Sequence, residues 1–250
     1  MDDLNISQRR IGALDCILVD ALAEGEAPKA LAFICHGYGA SGQDLVGLGP
    51  EWMQKFAAIK EGVRFVFPAA PMVLGMSFYG EARAWWPIDI EALERAMQTG
   101  EARIRREELP EELPARNAEL REVVEILCSE AGLGLGQCFF GGFSQGSMLT
   151  TDLVLSLDEE PLGQIIFSGT LLCESRWQAA ASKRAGFAIF QSHGRQDPLL
   201  GFTEAEALRE LLVGAGAKVE FHAFEGQHEI PRPILAKAGE YMVKRLARIE

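Results

Sequence analysis

One serine stands between two glycines where a strand-like run gives way to a helical one. The stretch from Phe139 to Leu149 has the sequence FFGGFSQGSML, so Gly142 and Gly146 lie two places on either side of Ser144. In a very tight strand-to-helix turn, side chains at those two places would clash with their neighbours, so glycine is needed there. Such a turn projects a hydroxyl from the carboxyl edge of a sheet. The spacing predicts Ser144 as a nucleophile, although an ordinary glycine-rich turn has the same composition.

A serine nucleophile requires an adjacent base, and the base requires a third group that orients it. In chains with this kind of turn the order is serine, then acid, then histidine. Asp197 lies in the loop SHGRQDPLLG after a predicted strand, and His228 lies in FEGQHEIP after the next strand. Because the carboxyl ends of parallel strands meet at one edge of a sheet, we expect both side chains near Ser144.

The other histidines and several acids fit these roles less well. His222 lies in the middle of a predicted strand and cannot reach the edge of the sheet. His36 and His193 each end a strand, where we expect a hydrogen bond to loop backbone. The rival acids are Asp152, Glu225 and Glu174, of which the last is the best alternative to Asp197.

A tetrahedral oxyanion needs hydrogen-bond donors, and two loops can supply them. The stretch CHGYGASGQDL follows an early strand, and its glycines leave the backbone N–H groups open to a ligand. We expect the N–H of Tyr38 to act together with that of Gln145, which follows the nucleophile. A glycine-rich loop also suits phosphate, but the phosphate-binding pattern G-x-x-x-x-G-K-[ST] is absent from the sequence.

Short apolar runs rich in β-formers alternate with longer segments that repeat apolar residues at helical spacing. The predicted strands are 14–20, 30–37, 63–68, 137–142, 163–169, 186–194 and 218–224, and the clearest helices are 115–132, 145–157, 201–216 and 232–249. Glycines at 132, 214 and 216 stand where helix C-caps would fall. This alternation predicts an α/β domain over residues 1–250, with a mostly parallel sheet covered by helices on both faces.

The connection 68–114 breaks this alternation. Its first half contains Trp85 and Trp86, for which we expect a packed position lining a pocket. Its later, Glu/Arg-rich part, 98–114, is expected to be a solvated helix or loop. A connection of this length in a compact domain is usually a binding loop, a lid or a disordered segment.

The composition of the chain disfavours some classes of binding partner. A formal net charge of −12 disfavours nucleic acid and anionic membranes, because both repel an acidic surface. The five cysteines show no C-x-x-C spacing and suit a reducing compartment better than a disulfide framework. No apolar run is long enough for a signal core or a membrane span. We therefore expect a cytoplasmic, soluble protein.

Six motifs occur in a specific order from about residue 30 onward: CHGYGASGQDL, FPAAP, GGFSQGS, FSG, HGRQDP and GQHEI. Together they resemble the phospholipase/carboxylesterase family, which includes the acyl-protein thioesterases. The resemblance implies an α/β-hydrolase fold and an esterase that uses neither metal nor cofactor.

Carried over to this sequence, the resemblance implies Ser144 as nucleophile, Asp197 as orienting acid and His228 as base. Tyr38 and Gln145 match the backbone donors of the oxyanion hole. The residues expected to line the substrate pocket are Trp85, Trp86, Leu171, Leu172 and Leu199.

The expected function is hydrolysis of carboxylic esters with small or medium acyl chains through an acyl-enzyme. An acyl-protein thioesterase or a lysophospholipase with the same triad is the alternative within enzymes, and a catalytically silent hydrolase-fold binding module is the alternative outside them. The expected partner is a small-molecule ester or acyl compound, and a homodimer is compatible with the sequence.

Overall fold

A sheet of eight strands forms the centre of the computed structural model, which describes residues 4–77, 80–99 and 106–249. The strands of the described chain are β1 (Asn5–Ile11), β2 (Leu14–Asp20), β3 (Ala30–Cys35), β4 (Val63–Pro68), β5 (Met72–Ser77), β6 (Gly80–Ala84), β7 (Cys138–Phe143), β8 (Gly163–Phe167), β9 (Ala188–Gly194) and β10 (Lys218–Phe224), of which β5 and β6 form a separate two-stranded sheet. In space the order of the large sheet is β1-β2-β4-β3-β7-β8-β9-β10. In this spatial order, all pairings from β4 across to β10 are parallel, whereas β1 with β2 and β2 with β4 are antiparallel. The predicted mostly parallel sheet is confirmed.

Helices cover both faces of this sheet. They are α1 (Leu48–Lys55), α2 (Ala57–Gly62), α3 (Ile90–Thr99), α4 (Leu113–Ala131), α5 (Gln145–Ser156), α6 (Glu174–Ala181), α7 (Phe202–Gly214) and α8 (Arg232–Leu246). Successive strand residues point to opposite faces, so Phe139 joins the core beneath α1, α2 and α8 while Phe140 joins the core beneath α4 to α7. Because both faces are packed, the inner strands β3 and β7 are apolar throughout.

Glycine ends one of the main helices as the sequence predicts. Gly132 follows α4 in the left-handed conformation, with φ of 67°, and its N–H bonds to the last turn of that helix. Gly214 is instead the last residue of α7, and Gly216, with φ of 91°, leads the chain into β10.

Several elements were not predicted, and each has a weak sequence pattern. Strand β1 is polar, since six of its seven residues are exposed at the edge of the sheet. Helices α1, α2 and α6 are eight residues long or shorter, which is too short for a clear apolar period. The strand predicted at 30–37 ends at Cys35, because the following two residues turn into the loop beside Ser144.

The connection 68–114, predicted as a binding loop, a lid or a disordered segment, contains regular structure. It begins with the hairpin β5–β6 and continues through α3, and α4 starts at Leu113. Part of the charged stretch, 100–105, lies outside the described residues. Within the described chain, no helix is both long and apolar enough to cross a membrane.

Candidate active site

The turn between β7 and α5 holds Ser144 in a conformation that few residues adopt. Its φ is 53° and its ψ is −121°, one of three positive φ values at non-glycine positions in the described chain. A Cβ on Gly142 would lie 2.5 Å from the backbone of Gly146. A Cβ on Gly146 would collide with the carbonyl oxygens of Cys35 and His36 at the end of β3. The second glycine is therefore required by the neighbouring strand as much as by the turn itself.

The loops after β9 and β10 pack against each other backbone to backbone. The N–H of Arg195 donates to Phe224 O at 2.9 Å, and that of Gln196 donates to Gly226 O at 2.9 Å. A Cβ on Gly194 would lie 2.6 Å from Gly226 O. Since these loops carry Asp197 and His228, their close packing fixes the acid relative to the imidazole.

Asp197 and His228 form a short polar contact between these loops. His228 Nδ1 lies 2.6 Å from Asp197 Oδ2, and the N–H groups of Leu199 and Leu200 donate to Asp197 Oδ1, both at 2.9 Å. Burial alone would raise the pKa of Asp197, but the hydrogen bonds from His193, His228 and Leu200 outweigh it and lower that pKa well below its ordinary value. The carboxylate is therefore ionised at neutral pH, and Nδ1 of His228 carries the proton between them.

A second imidazole supports the same carboxylate. The side chain of His193 is fully buried, and its Nε2 lies 3.3 Å from Asp197 Oδ2 and 2.7 Å from Leu200 O. A carbonyl only accepts, so Nε2 of His193 is the protonated nitrogen. Sequence analysis expects only a backbone contact for this residue, because the strand-ending His-Gly pair gives no sign that the ring faces Asp197.

His228 lies beside the turn that carries Ser144. Its ring centroid is 4.6 Å from that of Phe143, the residue before the serine, and Ser144 N donates to Phe167 O at 2.9 Å. Ser168 Oγ in turn contacts Glu229 O at 3.5 Å, which ties the loop after β8 to the loop of His228. Among the described residues no hydrogen bond joins Ser144 Oγ to His228; such bonds are often long in free enzymes and shorten with substrate.

The backbone N–H groups of Tyr38 and Gln145, which are expected to bind the oxyanion, have no backbone acceptor in the described chain. Hairpin strand β6 holds the first loop, since Gly39 N donates to Arg83 O at 2.8 Å and Arg83 N donates to Ala40 O at 3.0 Å. A positive φ of 76° at Gly39 lets the loop make this contact.

The buried side chain of Gln145 fastens the tryptophan pair to the turn. Its Oε1 accepts from Trp85 N at 2.9 Å, and its Nε2 donates to Trp86 O at 2.8 Å. The indole N–H of Trp85 donates to His36 O at 3.0 Å. The side chain of Gln145 thus positions the tryptophan pair, a structural role that the sequence motif does not reveal.

With this geometry established, comparison with known proteins identifies the family. The family model for phospholipases and carboxylesterases matches residues 20–246. The chain belongs to the phospholipase/carboxylesterase family. It is therefore a hydrolase of the ester-bond class, and the resemblance found in the sequence is confirmed.

Individual relatives and solved structures are similar to this chain over most of its length. An acyl-protein thioesterase 1 of Candida albicans is 26% identical over 210 residues, which cover 82% of this chain and 86% of that protein. The crystal structure of esterase PE8 has a TM-score of 0.71 at 26% identity and covers 96% of this chain and 99% of that one. A carboxylesterase from Mesorhizobium loti, 18% identical with a TM-score of 0.72, covers 96% and 99% and shares the fold. The predicted α/β-hydrolase fold is confirmed.

A cavity of about 380 Å³ opens beside the proposed catalytic residues. Its volume is near the small end of the range for ligand pockets. Three of the predicted pocket residues, Trp86, Leu171 and Leu172, line it. Trp85 and Leu199, which are also expected in the substrate pocket, do not line this cavity. Trp85 is fully buried beside Trp86, and the chain enters the cavity wall at Leu200. The sequence also missed Met148, Thr170 and Leu200 as wall residues.

The residues considered as alternatives for the acid and the base have other partners or lie in other elements. His222 contacts Glu220 at 2.8 Å on the surface of β10, and Asp152 accepts from Trp177 Nε1 at 3.0 Å behind α5. Glu174 begins α6 and Glu225 pairs with the side chain of Gln196. Within the described ranges, no group of three or more His, Cys, Asp and Glu side chains could hold a metal ion.

His36 joins the ends of β3 and β4 through a single tautomer. Its Nδ1 lies 2.9 Å from Gly37 O, which only accepts, and its Nε2 accepts from Ala70 N at 3.0 Å. The ring is almost completely buried, and burial, followed by the charge of Arg83, lowers its pKa to about 4 despite the bond to Gly37. A proton on Nε2 would face the N–H of Ala70.

We expect His36 to make stability depend on pH between about 4 and 6.5. In this window the unfolded chain binds a proton that the folded chain excludes, so the free energy of unfolding falls as the pH falls. Between pH 7 and pH 5 the loss due to His36 is about 2 kcal/mol. Urea unfolding of the wild type and of His36→Gln at both pH values measures it. An equal pH dependence in the two proteins would contradict the assignment.

Gly146→Ala should lower the free energy of unfolding by at least about 2 kcal/mol, because the new methyl group meets two backbone carbonyls that cannot rotate away. Gly214→Ala is the matched control: it also lies in a helix, but its Cβ meets nothing within 4 Å. The control should be unchanged or more stable by up to about 1 kcal/mol. Equal effects in urea unfolding would show that the space around Gly146 is not limiting.

Proposed function

We propose that this member of the family is a serine carboxylesterase that hydrolyses esters with small or medium acyl chains through an acyl-enzyme. The main support is the position of the ionised Asp197 and the His228 ring, which lie together beside the turn that presents Ser144. The proposed oxyanion donors are the backbone N–H groups of Tyr38 and Gln145, which have no backbone acceptor in the described chain. A nucleophile, a base, an orienting acid and oxyanion donors are the parts that acyl transfer needs.

In the proposed reaction, the protonation of His228 sets the direction of proton transfer. Because Nδ1 donates to Asp197, the lone pair on Nε2 is free to take the hydroxyl proton as Ser144 Oγ attacks the ester carbonyl. The N–H groups of Tyr38 and Gln145 donate to the oxyanion, and one such donor contributes about 10²–10³ in rate. The imidazolium then protonates the leaving alcohol. Water, deprotonated by the same imidazole, hydrolyses the acyl-serine.

Hydrolysis of thioesters is the second candidate, because the relatives named above include an acyl-protein thioesterase. The same four groups would catalyse it, and only the leaving group and the acyl pocket differ. The modest cavity favours small and medium acyl groups over long ones. Matched oxygen and thio esters of one acyl chain would separate the two activities.

Cellular location and assembly are further parts of this proposal. All five cysteines are buried and free, which supports a reducing compartment and hence a cytoplasmic location. The homodimer considered from the sequence stays a prediction.

Ser144→Ala should abolish turnover of p-nitrophenyl butanoate and labelling by a fluorophosphonate probe, because no other hydroxyl occupies the strained turn. Ser156→Ala, on the far end of the same helix, is the control and should leave both intact. If wild-type protein neither turns over esters nor reacts with the probe, a silent binding module replaces the esterase proposal.

Asp197→Asn should lower kcat for the butanoate ester by roughly 10⁴-fold, because an amide can fix the wrong tautomer of His228. Glu225→Gln is the control, since this exposed carboxylate lies in the histidine loop but contacts Gln196 and Arg195. The control should retain nearly full activity. Steady-state kinetics on both variants, with melting temperatures, would refute the role of Asp197 if the two behaved alike.

A further inference from the structure

An ion pair lies in the wall of the cavity beside the proposed catalytic residues. Arg106 and Glu204 both line this cavity, and the Arg106 side chain meets the Glu204 carboxylate in a two-point contact, with Nε on one oxygen and Nη2 3.1 Å from the other. The two side chains are only 12% and 13% exposed. Asp89, Glu108 and Thr170 are the other polar residues of the wall, and the remaining lining residues are apolar.

A second cavity lies on the other side of the same arginine. Its volume is about 420 Å³, and its wall includes Arg106 together with residues of α6 and α7, such as Gln178, Ala207 and Leu211. Of the residues around the two cavities, Arg106 is common to both. The guanidinium therefore stands between two chambers of similar size.

The direction of α7 shows which chamber is nearer to Ser144. This helix follows β9 and so starts at the carboxyl edge of the parallel sheet, where Ser144 lies, and runs toward the opposite edge. Glu204 is in its first turn, whereas Ala207 and Leu211 lie one and two turns farther on. On the near side, Met148 is one turn after Ser144 in α5 and lines the first cavity. The ion pair is thus at the end of the first cavity that is remote from the serine.

Neighbouring contacts hold the arginine in this position. Ser175 donates from Oγ to Glu107 Oε1 at 2.8 Å, and Cys173 Sγ contacts Glu108 O at 3.3 Å, so the residues after Arg106 are fixed to the start of α6. On the other partner, Glu204 O accepts from Leu171 N at 3.2 Å. A planar guanidinium bonded at two points to a carboxylate also has less freedom than a single contact would allow.

We propose that the Arg106–Glu204 pair is a partition that sets the length of the acyl chain this enzyme accepts. The inference rests on the proposed esterase function and deepens it. With the pair in place, an apolar acyl group bound at Ser144 can extend only through the first cavity. Longer chains would have to displace a buried ion pair with a hydrocarbon end, which leaves both charges without partners. Without the pair, the two cavities join and the chain can continue along α6 and α7.

The test compares p-nitrophenyl butanoate with p-nitrophenyl decanoate on three proteins. In Arg106→Ala/Glu204→Ala both side chains are truncated, so no charge is left alone and the passage opens. We expect its ratio of kcat/KM for decanoate over butanoate to rise roughly tenfold or more above the wild type. Arg106→Met/Glu204→Gln keeps most of the bulk and removes the charges, so its ratio should rise clearly less than that of the double-alanine variant.

Two further variants separate the partition from general effects. Adding Ala207→Phe to the double-alanine variant fills the second cavity and should return the ratio toward the wild-type value. Arg9→Ala removes another two-point Arg–Glu contact, with Glu130, on the exposed strand β1 and should leave the ratio unchanged. If the double-alanine variant does not melt cooperatively, Arg106→Ala/Glu204→Gln takes its place with the same expected rise.

The outcomes distinguish this proposal from the one it rests on. An active wild type whose ratio is unchanged by truncating the pair would overturn the partition and leave the esterase intact. An equal rise in the Met/Gln variant would also overturn it, because bulk would not be what limits the chain. A wild type that hydrolyses neither ester and resists the fluorophosphonate probe would overturn the proposed function itself.

Discussion

Gly146 lets the first turn of α5 rest directly on the carbonyl oxygens of Cys35 and His36, and the rest of the site depends on that contact. Because no side chain separates the two backbones, the loop after β3 lies in direct contact with the start of α5. That loop contains Tyr38, whose N–H we propose to act together with that of Gln145, and the carbonyl of His36 accepts from the indole N–H of Trp85. Any larger residue at 146 would separate groups that must act within hydrogen-bonding distance of one another.

Direct contact between backbones also fixes the loops on the other side of the serine. The loops after β9 and β10 meet at Gly194 and Gly226, and the acid and the imidazole extend from them. The carboxylate of Asp197 accepts from two imidazoles and two backbone N–H groups, so its negative charge is stabilised although it is buried. A buried charge without such partners would instead take up a proton.

Much of this arrangement could be predicted because it follows from local rules. Alternation of apolar runs predicts the parallel sheet, and the glycine spacing around Ser144 predicts a tight turn after β7. Side-chain packing at a distance is not encoded in such patterns. Nothing near His193 in sequence indicates that its ring faces Asp197, and the contact of Arg106 with Glu204 joins residues almost a hundred positions apart. Trp85 and Leu199 lie outside the cavity wall although their neighbours Trp86 and Leu200 line it, because sequence alone does not show which of two adjacent residues enters a cavity.

Strand β1 has a consequence for how copies of this chain can associate. It closes one end of the large sheet, pairs with β2 alone among the described strands, and exposes six of its seven side chains, including Arg9 and Arg10. An uncovered edge invites another strand to add to the sheet, and charged side chains along it discourage such addition. Arg9 and Arg10, held by Glu130 and Asp15, form such a charged border, so growth of the sheet through β1 is opposed.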